Sequence, residues 1–308
     1  MPTDHLDTPS FHSSINYEEL GNRLRAYRIG ASLVAEDVAE QLGVSRAVVY
    51  RMEQGKIVKI ETIERLAQLL GTSMASLLGV EVEYYSTAPG FLERMRQIEA
   101  SAERIVAHFE PISLLLASDE YLDHLRQMLL ESLPKSTTAN SGSHSLTAEV
   151  DGILTILHER KISFAKRRPN IVSLVGLREL ERFLHTGLVG SLDISETVRQ
   201  QRVQAARQEV QRIAELMDDE PMYAQVGLID DAMPATSFQL FFTSGSSLLA
   251  VSPFRFGELP NVRNGIAMVT ASPEPVKMYG EMIDRLWKTA HKGKIGAAQL
   301  RKLLDRTR

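Results

Sequence analysis

Two arginines, a tyrosine and an alanine near residue 50 are spaced so that one side of a short helix would present all four. These outward positions are Arg46, Ala47, Tyr50 and Arg51. A guanidinium fork bonds to both acceptors on the major-groove edge of guanine, and a small methyl side chain fits against the thymine methyl. We therefore expect Arg46 to contact a guanine and Ala47 a thymine. Tyr50 and Arg51 are expected to meet phosphates or an adjacent base.

The neighbouring residues predict the helix that presents these side chains. Val49 and Met52 are three residues apart, so they share its inward face. Gly43 suits a left-handed turn before the helix, because it has no Cβ. Ser45 suits the N-cap, where its hydroxyl can accept an amide hydrogen of the first turn, and it is a further candidate for DNA contact. The major groove is wide enough for one such helix, so double-stranded DNA is the expected partner.

Two lysines just beyond the helix, Lys56 and Lys59, are expected near backbone phosphates, where contacts add affinity but carry no sequence information. Residues 17–79 hold eight Lys or Arg and eight Asp or Glu, so their net charge is about zero. Bulk electrostatics alone would not predict DNA binding, and a helical domain with ordinary solvated arginines is the alternative. The clustering of basic residues around the outward positions favours a DNA-binding face.

The residues around this helix predict a small domain made only of helices. A stripe of Leu20, Leu24 and Tyr27 indicates a first helix, and Val34 to Leu42 a second. Two more helical segments follow residue 59. The fold expected for residues 16–80 is therefore an all-α unit of five short helices.

The run LGVSRAVVYRMEQGK resembles the lambda-repressor/Cro family, also called the xenobiotic-response-element family of bacterial regulators. The resemblance covers about a fifth of the chain and is carried by Arg23, Arg28, Leu42–Ser45, Val49, Arg51, Glu53, Gly55 and Lys56. It implies a helix-turn-helix transcriptional regulator. One departure is that Val34 and Ala35 stand where the family often has Ser-Gln, so an amide contact to DNA is missing.

Composition limits the other classes of protein. The chain has 308 residues, a net charge of -4 and no cysteine, which excludes disulfides and thiolate metal sites. Its length favours about two domains. The N-terminus lacks the apolar run of a secretory signal, and no apolar stretch is long enough to cross a membrane. A cytoplasmic protein that needs no cofactor is expected.

We predict four segments along the chain. Residues 1–15 are polar and are expected to form a disordered arm, followed by the DNA-binding domain at 16–80. Residues 81–90 contain a Pro-Gly pair and are predicted to be a linker. Residues 91–308 are predicted to form an effector-sensing and oligomerisation domain. Its opening stretch, Phe91–Phe109, predicts an amphipathic helix that is either a dimer seam or the first helix of this domain.

Strand and helix patterns alternate through the predicted second domain, which indicates a mixed α/β or α+β fold. Apolar or β-branched runs predict strands at 112–118, 171–177, 223–230, 237–243, 247–254 and 264–272. Helical patterns lie between several of them, the longest at Ser195–Met217.

Arginines beside aromatic residues mark the candidate ligand sites of this domain. The candidate ligand-binding residues are Arg178, Arg255, Arg263 and Asn264. The run Lys166–Arg168 is a further candidate. Such arginines suit a carboxylate, a phosphate or an acyl thioester, while ordinary solvated salt bridges are the alternative. The eight histidines are scattered, and no motif for catalysis or metal binding is recognised.

Three functions are compatible with these patterns. The first is a dimeric, sequence-specific transcriptional regulator controlled by a small-molecule effector, because one short reading helix contacts too few bases alone. The second is an antitoxin-like autoregulator whose second domain binds a protein partner. The third, an enzyme fused to a DNA-binding module, lacks a recognisable catalytic set, so the chain is not expected to be an enzyme.

Overall fold

Five short helices begin the computed structural model, which describes residues 16–56, 59–80, 82–109, 111–133 and 142–307. They are α1 Tyr17–Gly30, α2 Ala35–Leu42, α3 Arg46–Glu53, α4 Ile60–Leu69 and α5 Met74–Leu78. Asn16 caps α1 by accepting a hydrogen bond from the Glu19 amide at 3.1 Å. The five-helix prediction is confirmed, while the predicted arm at 1–15 lies outside the described residues.

One mixed sheet dominates the remainder of the described chain. Its strands are β1 Val82–Tyr85, β2 Arg104–His108, β3 Asn170–Gly176, β4 Ala224–Ile229, β5 Ser237–Phe242, β6 Ser247–Ser252 and β7 Ala267–Thr270. The order across the sheet is β1-β7-β6-β5-β2-β3-β4. Strands β2, β3 and β4 are parallel, and the other neighbouring pairs are antiparallel.

Helices cover both faces of this sheet. They are α6 Ala88–Glu99, α7 Glu120–Glu131, α8 Gly142–Arg167, α9 Leu177–Thr186, α10 Glu196–Asp219, α11 Pro273–Thr289 and α12 Gly293–Arg306. Alternation along β2 sends Ile105 and Ala107 to one face and Val106 to the other. The first face packs against most of the helices, while α11 covers the second. This arrangement confirms the predicted mixed α/β class.

A continuous cluster of buried apolar side chains joins the N-terminal helices to the sheet. Leu24 and Tyr27 of α1 belong to the same cluster as Phe91 of α6 and Ile105 of β2. The Tyr27 ring stacks on Tyr85 of β1, with their centroids 4.8 Å apart. The residues predicted to be a linker, 81–90, contain β1 and the first turn of α6. The division into domains at this point stays a prediction.

The predicted helix at Phe91–Phe109 is too long. It ends at Glu99, and Arg104–His108 forms β2 instead. Strand β2 lies between β3 and β5, and pairing with both satisfies the hydrogen-bonding groups of its backbone. This pairing outweighs the helix-like spacing of apolar residues in this segment. Phe91 and Met95 of α6 are buried within the chain, as is the rest of its apolar face. That face is therefore not available as the dimer seam that was one of the two alternatives.

The strand predicted at 112–118 is also wrong. This segment forms turns in which the Leu116 and Ala117 amides bond to the Ser113 carbonyl at 3.0 Å. The apolar side chains are buried as a strand would bury them, so composition alone does not distinguish the two structures. The Lys161 ammonium donates to the carbonyls of Ala117 and Ser118. These backbone groups are thus satisfied by a side chain and not by a neighbouring strand.

Candidate nucleic-acid interface

Helix α3 presents the predicted reading face to solvent. Val49 and Met52 are buried beneath the helix, as their spacing predicts. The opposite side is exposed along its whole length through Ser45, Arg46, Ala47, Tyr50 and Arg51. Gly43 has a φ of 70°, so it supplies the left-handed turn between α2 and α3. Local sequence therefore determines both the exposure and the direction of this face.

Arg46 is held in place by two neighbours. Its Nη1 lies 2.6 Å from a carboxylate oxygen of Glu36 on α2. Its Nε and Nη2 donate to the Tyr50 hydroxyl at 3.1 and 2.8 Å, and its guanidinium lies 5.2 Å from the centre of the Tyr50 ring. The arginine thus has two intramolecular partners on the exposed face, and a base or phosphate must compete with Glu36 for it.

Ser45 occupies the N-cap of α3, but its hydroxyl makes no capping hydrogen bond. The prediction that this hydroxyl accepts an amide hydrogen is therefore wrong. The Ser45 carbonyl accepts the Val48 amide at 2.9 Å, so the first turn closes through the backbone. The exposed hydroxyl remains available to a phosphate oxygen.

The other basic candidates are Arg51, Lys56 and Lys59, and all three side chains are exposed. Across residues 16–56 and the later described segments, none of the three forms an ion pair. Cations without a partner of their own are suited to phosphates, because binding displaces only counterions and water.

Two arginines of the family pattern have structural positions. Arg28 on α1 bonds to both carboxylate oxygens of Glu53 at the end of α3, at 2.5 and 3.2 Å. Arg23 is buried and donates to the carbonyls of Leu77 and Leu78 at 2.8 Å. Both arginines hold helices together, so the predicted reading face consists of other basic side chains, which are exposed.

The start of α2 differs chemically from the usual family pattern. The Val34 amide donates to the Asp37 carboxylate at 2.9 Å, which satisfies one amide of the N-terminus. Ala35 is 3% exposed, so it offers no group to DNA. Glu36 points outward beside Arg46. This end of α2 thus carries carboxylates and no amide side chain.

A buried junction fixes these helices against the sheet, and the sequence alone did not indicate it. Helices α1 and α6 approach so closely that a Cβ on Gly90 would lie 3.0 Å from the Ala26 oxygen and the Gly30 Cα. Beside this contact, Arg94 of α6 pairs with Glu83 of β1 and with Glu19 of α1. The reading helix is therefore connected to the rest of the chain through α1.

The four predicted ligand-binding residues do not converge on one site. Arg255 lines a small cavity of about 20 Å³ between α6, α7, α8 and the sheet. Arg178, Arg263 and Asn264 are exposed and do not line it. Arg178 lies on α9, whereas Arg263 and Asn264 lie on the loop between β6 and β7. Neither their order in the sequence nor the local composition predicts whether these two elements are close in space. The assignment of these four residues to a ligand therefore stays a prediction.

The cavity beside Arg255 is mostly apolar and includes Phe91 and Met95 of α6. Gln239 also lines it, and neither atom of its buried amide has a hydrogen-bond partner among the described residues. The volume suits about one water molecule.

The third predicted run, Lys166–Arg168, borders a larger cleft of about 310 Å³ between α8, α10 and the start of β4. Arg168 lines this cleft and lies over the Tyr223 ring, 5.1 Å from its centre. Arg167 turns away and donates to the carbonyls of Glu99 and Ala100. Lys166 is exposed and does not line the cleft.

Comparison with known families identifies the N-terminal unit. Residues 19–78 match the family model described as a helix-turn-helix domain, and this range includes nearly all of α1 to α5. Residues 19–78 thus form a helix-turn-helix domain of the kind the resemblance implied, and such a domain favours a DNA-binding regulator. No curated protein matches the chain. Among the described helices, none is both long and apolar enough to cross a bilayer.

Proposed function

We propose that this chain is a dimeric, sequence-specific transcriptional regulator that binds operator DNA and responds to a small-molecule effector. The observation that carries the proposal is the exposed face of α3, which lies in the helix-turn-helix unit and presents Arg46 at its N-terminal end. Helices of this kind enter the major groove with their first residues nearest the base edges. The proposed role is binding, without a catalytic step.

Within this proposal, Arg46 reads a guanine and Ala47 contacts a thymine methyl. Tyr50 orients Arg46 through the hydrogen bonds that already join them. Ser45 is proposed to bond to a phosphate. Arg51, Lys56 and Lys59 are proposed to supply the remaining phosphate contacts, which give affinity that falls as salt rises.

A dimer is proposed because one eight-residue helix contacts too few base pairs to select a site in a genome. Two copies would place two α3 helices in successive major grooves, about 34 Å apart. Effector control is supported by the contact between α1 and α6, since α6 belongs to the part of the chain proposed to bind the effector. A ligand that favours one α6 position would favour one spacing of the two α3 helices.

Selection of binding sites from fragmented genomic DNA tests the DNA part of the proposal. We expect wild-type protein to enrich a two-fold symmetric sequence and Arg46→Ala to lose preference at one position in each half-site, at a cost of about 1–3 kcal/mol. Arg126→Ala is the matched control, because Arg126 is a half-exposed arginine on α7 that pairs with Asp151. Enrichment of no sequence by wild type would refute the proposed function.

Sedimentation of the protein with and without the selected DNA tests the dimer. A complex of two chains on one symmetric site is expected. A single chain bound to each site would contradict the dimeric part of the proposal while leaving sequence-specific binding intact.

A further inference from the structure

The cleft between α8, α10 and β4 gathers basic side chains that lie far apart in sequence. Lys161 and Arg168 come from α8 and its end, and Arg212 comes from α10. Tyr223, just before β4, and Phe164 form an aromatic wall, with their ring centres 6.4 Å apart. The volume of about 310 Å³ is at the lower end of the range for small-molecule sites.

The charge of this cleft is positive after internal pairing. The Lys161 ammonium lies 3.2 Å from the Asp119 carboxylate and donates to two carbonyls, so its charge is compensated. Across the described residues, Arg168 and Arg212 have no carboxylate within ion-pair distance. Glu209 lies nearby but accepts hydrogen bonds from the Ser118 amide and hydroxyl. Two guanidinium groups that form no ion pair therefore remain among the three cations and one carboxylate of the described lining.

Arg168 is held in a conformation that an ordinary surface arginine does not need. Its backbone has a φ of 48°, a left-handed conformation that L-residues adopt at an energetic cost. Its amide bonds to the Phe164 carbonyl at 2.7 Å, which closes the end of α8. The guanidinium lies over Tyr223, where a cation is stabilised by the face of the ring. These contacts position the Arg168 guanidinium beside Tyr223 at the cleft.

We propose that this cleft binds a small organic anion, in which a carboxylate or phosphate is joined to a flat or apolar body. The anionic group would bond to Arg168 and Arg212, because guanidinium groups match the geometry of such oxyanions. The body would lie between the side chains of Ile162 and Tyr223, which provide apolar area at the cleft. Exposed Ile162 gains burial in this complex.

The neighbouring residue links the cleft to the DNA-binding helices. Arg167 donates to the Glu99 carbonyl at 2.9 Å and also bonds to the Ala100 carbonyl, at the end of α6. A ligand bound to Arg168 would therefore contact the end of α8 that is bonded to α6. Helix α6 in turn packs closely against α1. Anion binding does not depend on the proposed function, but this regulatory role rests on it.

Calorimetric titration with benzoate, phenyl phosphate and benzamide tests the site, since benzamide has the shape of benzoate without the charge. At about 10 mM, benzoate or phenyl phosphate is expected to bind with a Kd of about 1 mM, and benzamide is expected not to bind. Comparison of the two anions distinguishes a carboxylate site from a phosphate site. Failure of both anions to bind wild-type protein would overturn the proposal.

Three glutamine variants locate the binding. Arg168→Gln and Arg212→Gln should each weaken binding of the preferred anion about tenfold, through loss of a charge-assisted hydrogen bond. Lys166→Gln is the control, because it removes the same charge from an exposed residue that does not line the cleft. Equal affinities in all three variants would refute the site. Thermal unfolding of each variant verifies that its fold is retained.

DNA titration with and without the preferred anion separates this inference from the proposed function. A changed DNA affinity in wild type that is lost in Arg168→Gln supports the regulatory link. Anion binding without a change in DNA affinity overturns that link and leaves the site in place. If the protein selects no DNA at all, the proposed function fails while the calorimetric result still decides whether the cleft binds anions.

Discussion

Arg94 and Glu83 are joined by two hydrogen bonds, from Nε to Oε2 at 2.8 Å and from Nη2 to Oε1 at 2.9 Å, and both side chains are buried. Arg94 belongs to α6 and Glu83 to β1. Nη2 also donates to Glu19 of α1 at 2.7 Å. This network joins the sheet, the connecting helix and the first DNA-binding helix. Separating a buried charge from its partners costs several kcal/mol, on the order of 3–5, so the network favours one orientation of α1 relative to α6 and β1.

Arg94→Met should destabilise the protein strongly, since Glu83 would stay buried without its main counter-charge. We expect a loss of about 3–5 kcal/mol in the free energy of unfolding, measured by urea denaturation. Lys277→Met is the control, because the Lys277–Glu281 pair is exposed on α11 and should contribute little. Similar losses in the two variants would contradict a stabilising role for the buried network.

Gly90→Ala should separate α1 from α6, because the new Cβ would meet backbone atoms at 3.0 Å. Gly280→Ala lies in α11 with no atom within 4 Å of the added Cβ, and it should stabilise the helix by about 0.5–1 kcal/mol. Both changes add the same helix propensity, so their difference isolates the packing cost. We expect Gly90→Ala to be less stable than Gly280→Ala by about 1–3 kcal/mol in urea denaturation. Equal stabilities would show that the junction tolerates a methyl group.

Glu36→Gln should tighten DNA binding, because Glu36 competes for Arg46 and its charge repels phosphates. An affinity increase of about 2- to 5-fold is expected in a titration at low salt, with a smaller effect at high salt. Glu40→Gln removes the same charge from an exposed position one turn later on α2 and is the control. If Glu40→Gln has the same effect, the release of Arg46 is not the cause.

Acid should weaken the junction through Glu19. Burial raises the pKa of this carboxyl, but Arg94 and Arg23 outweigh burial and hold its pKa below the ordinary value of 4.5. A carboxyl with a lowered pKa in the folded state stabilises the fold above its unfolded pKa, and this contribution is lost as pH falls through the folded pKa. The free energy of unfolding should therefore decline below pH 4.5, less steeply in Glu19→Gln. Identical pH slopes in urea denaturation would contradict this assignment.

The sequence by itself determined helix α3 with its exposed face, and the class of the fold. The turn at Gly43 and the spacing of Val49 and Met52 are local signals, because neighbouring residues on a helix set which side chains face inward. Exposure of Arg46 follows from that local geometry. The alternation of strand and helix patterns after residue 170 is equally local, and most of those elements form where they were predicted.

Only the tertiary structure decided how distant residues meet. Residues 104–108 become a strand because β3 and β5, some 65 to 135 residues later, pair with them. Arg94 contacts Glu19 across 75 residues, and Arg168 contacts Tyr223 across 55. The spacing of apolar residues within one helix or strand indicates only which face of that element is buried. It therefore does not predict contacts between residues that are distant in the sequence. The exposed face of α3 was therefore predictable from the sequence, while the junction and the basic cleft required the fold.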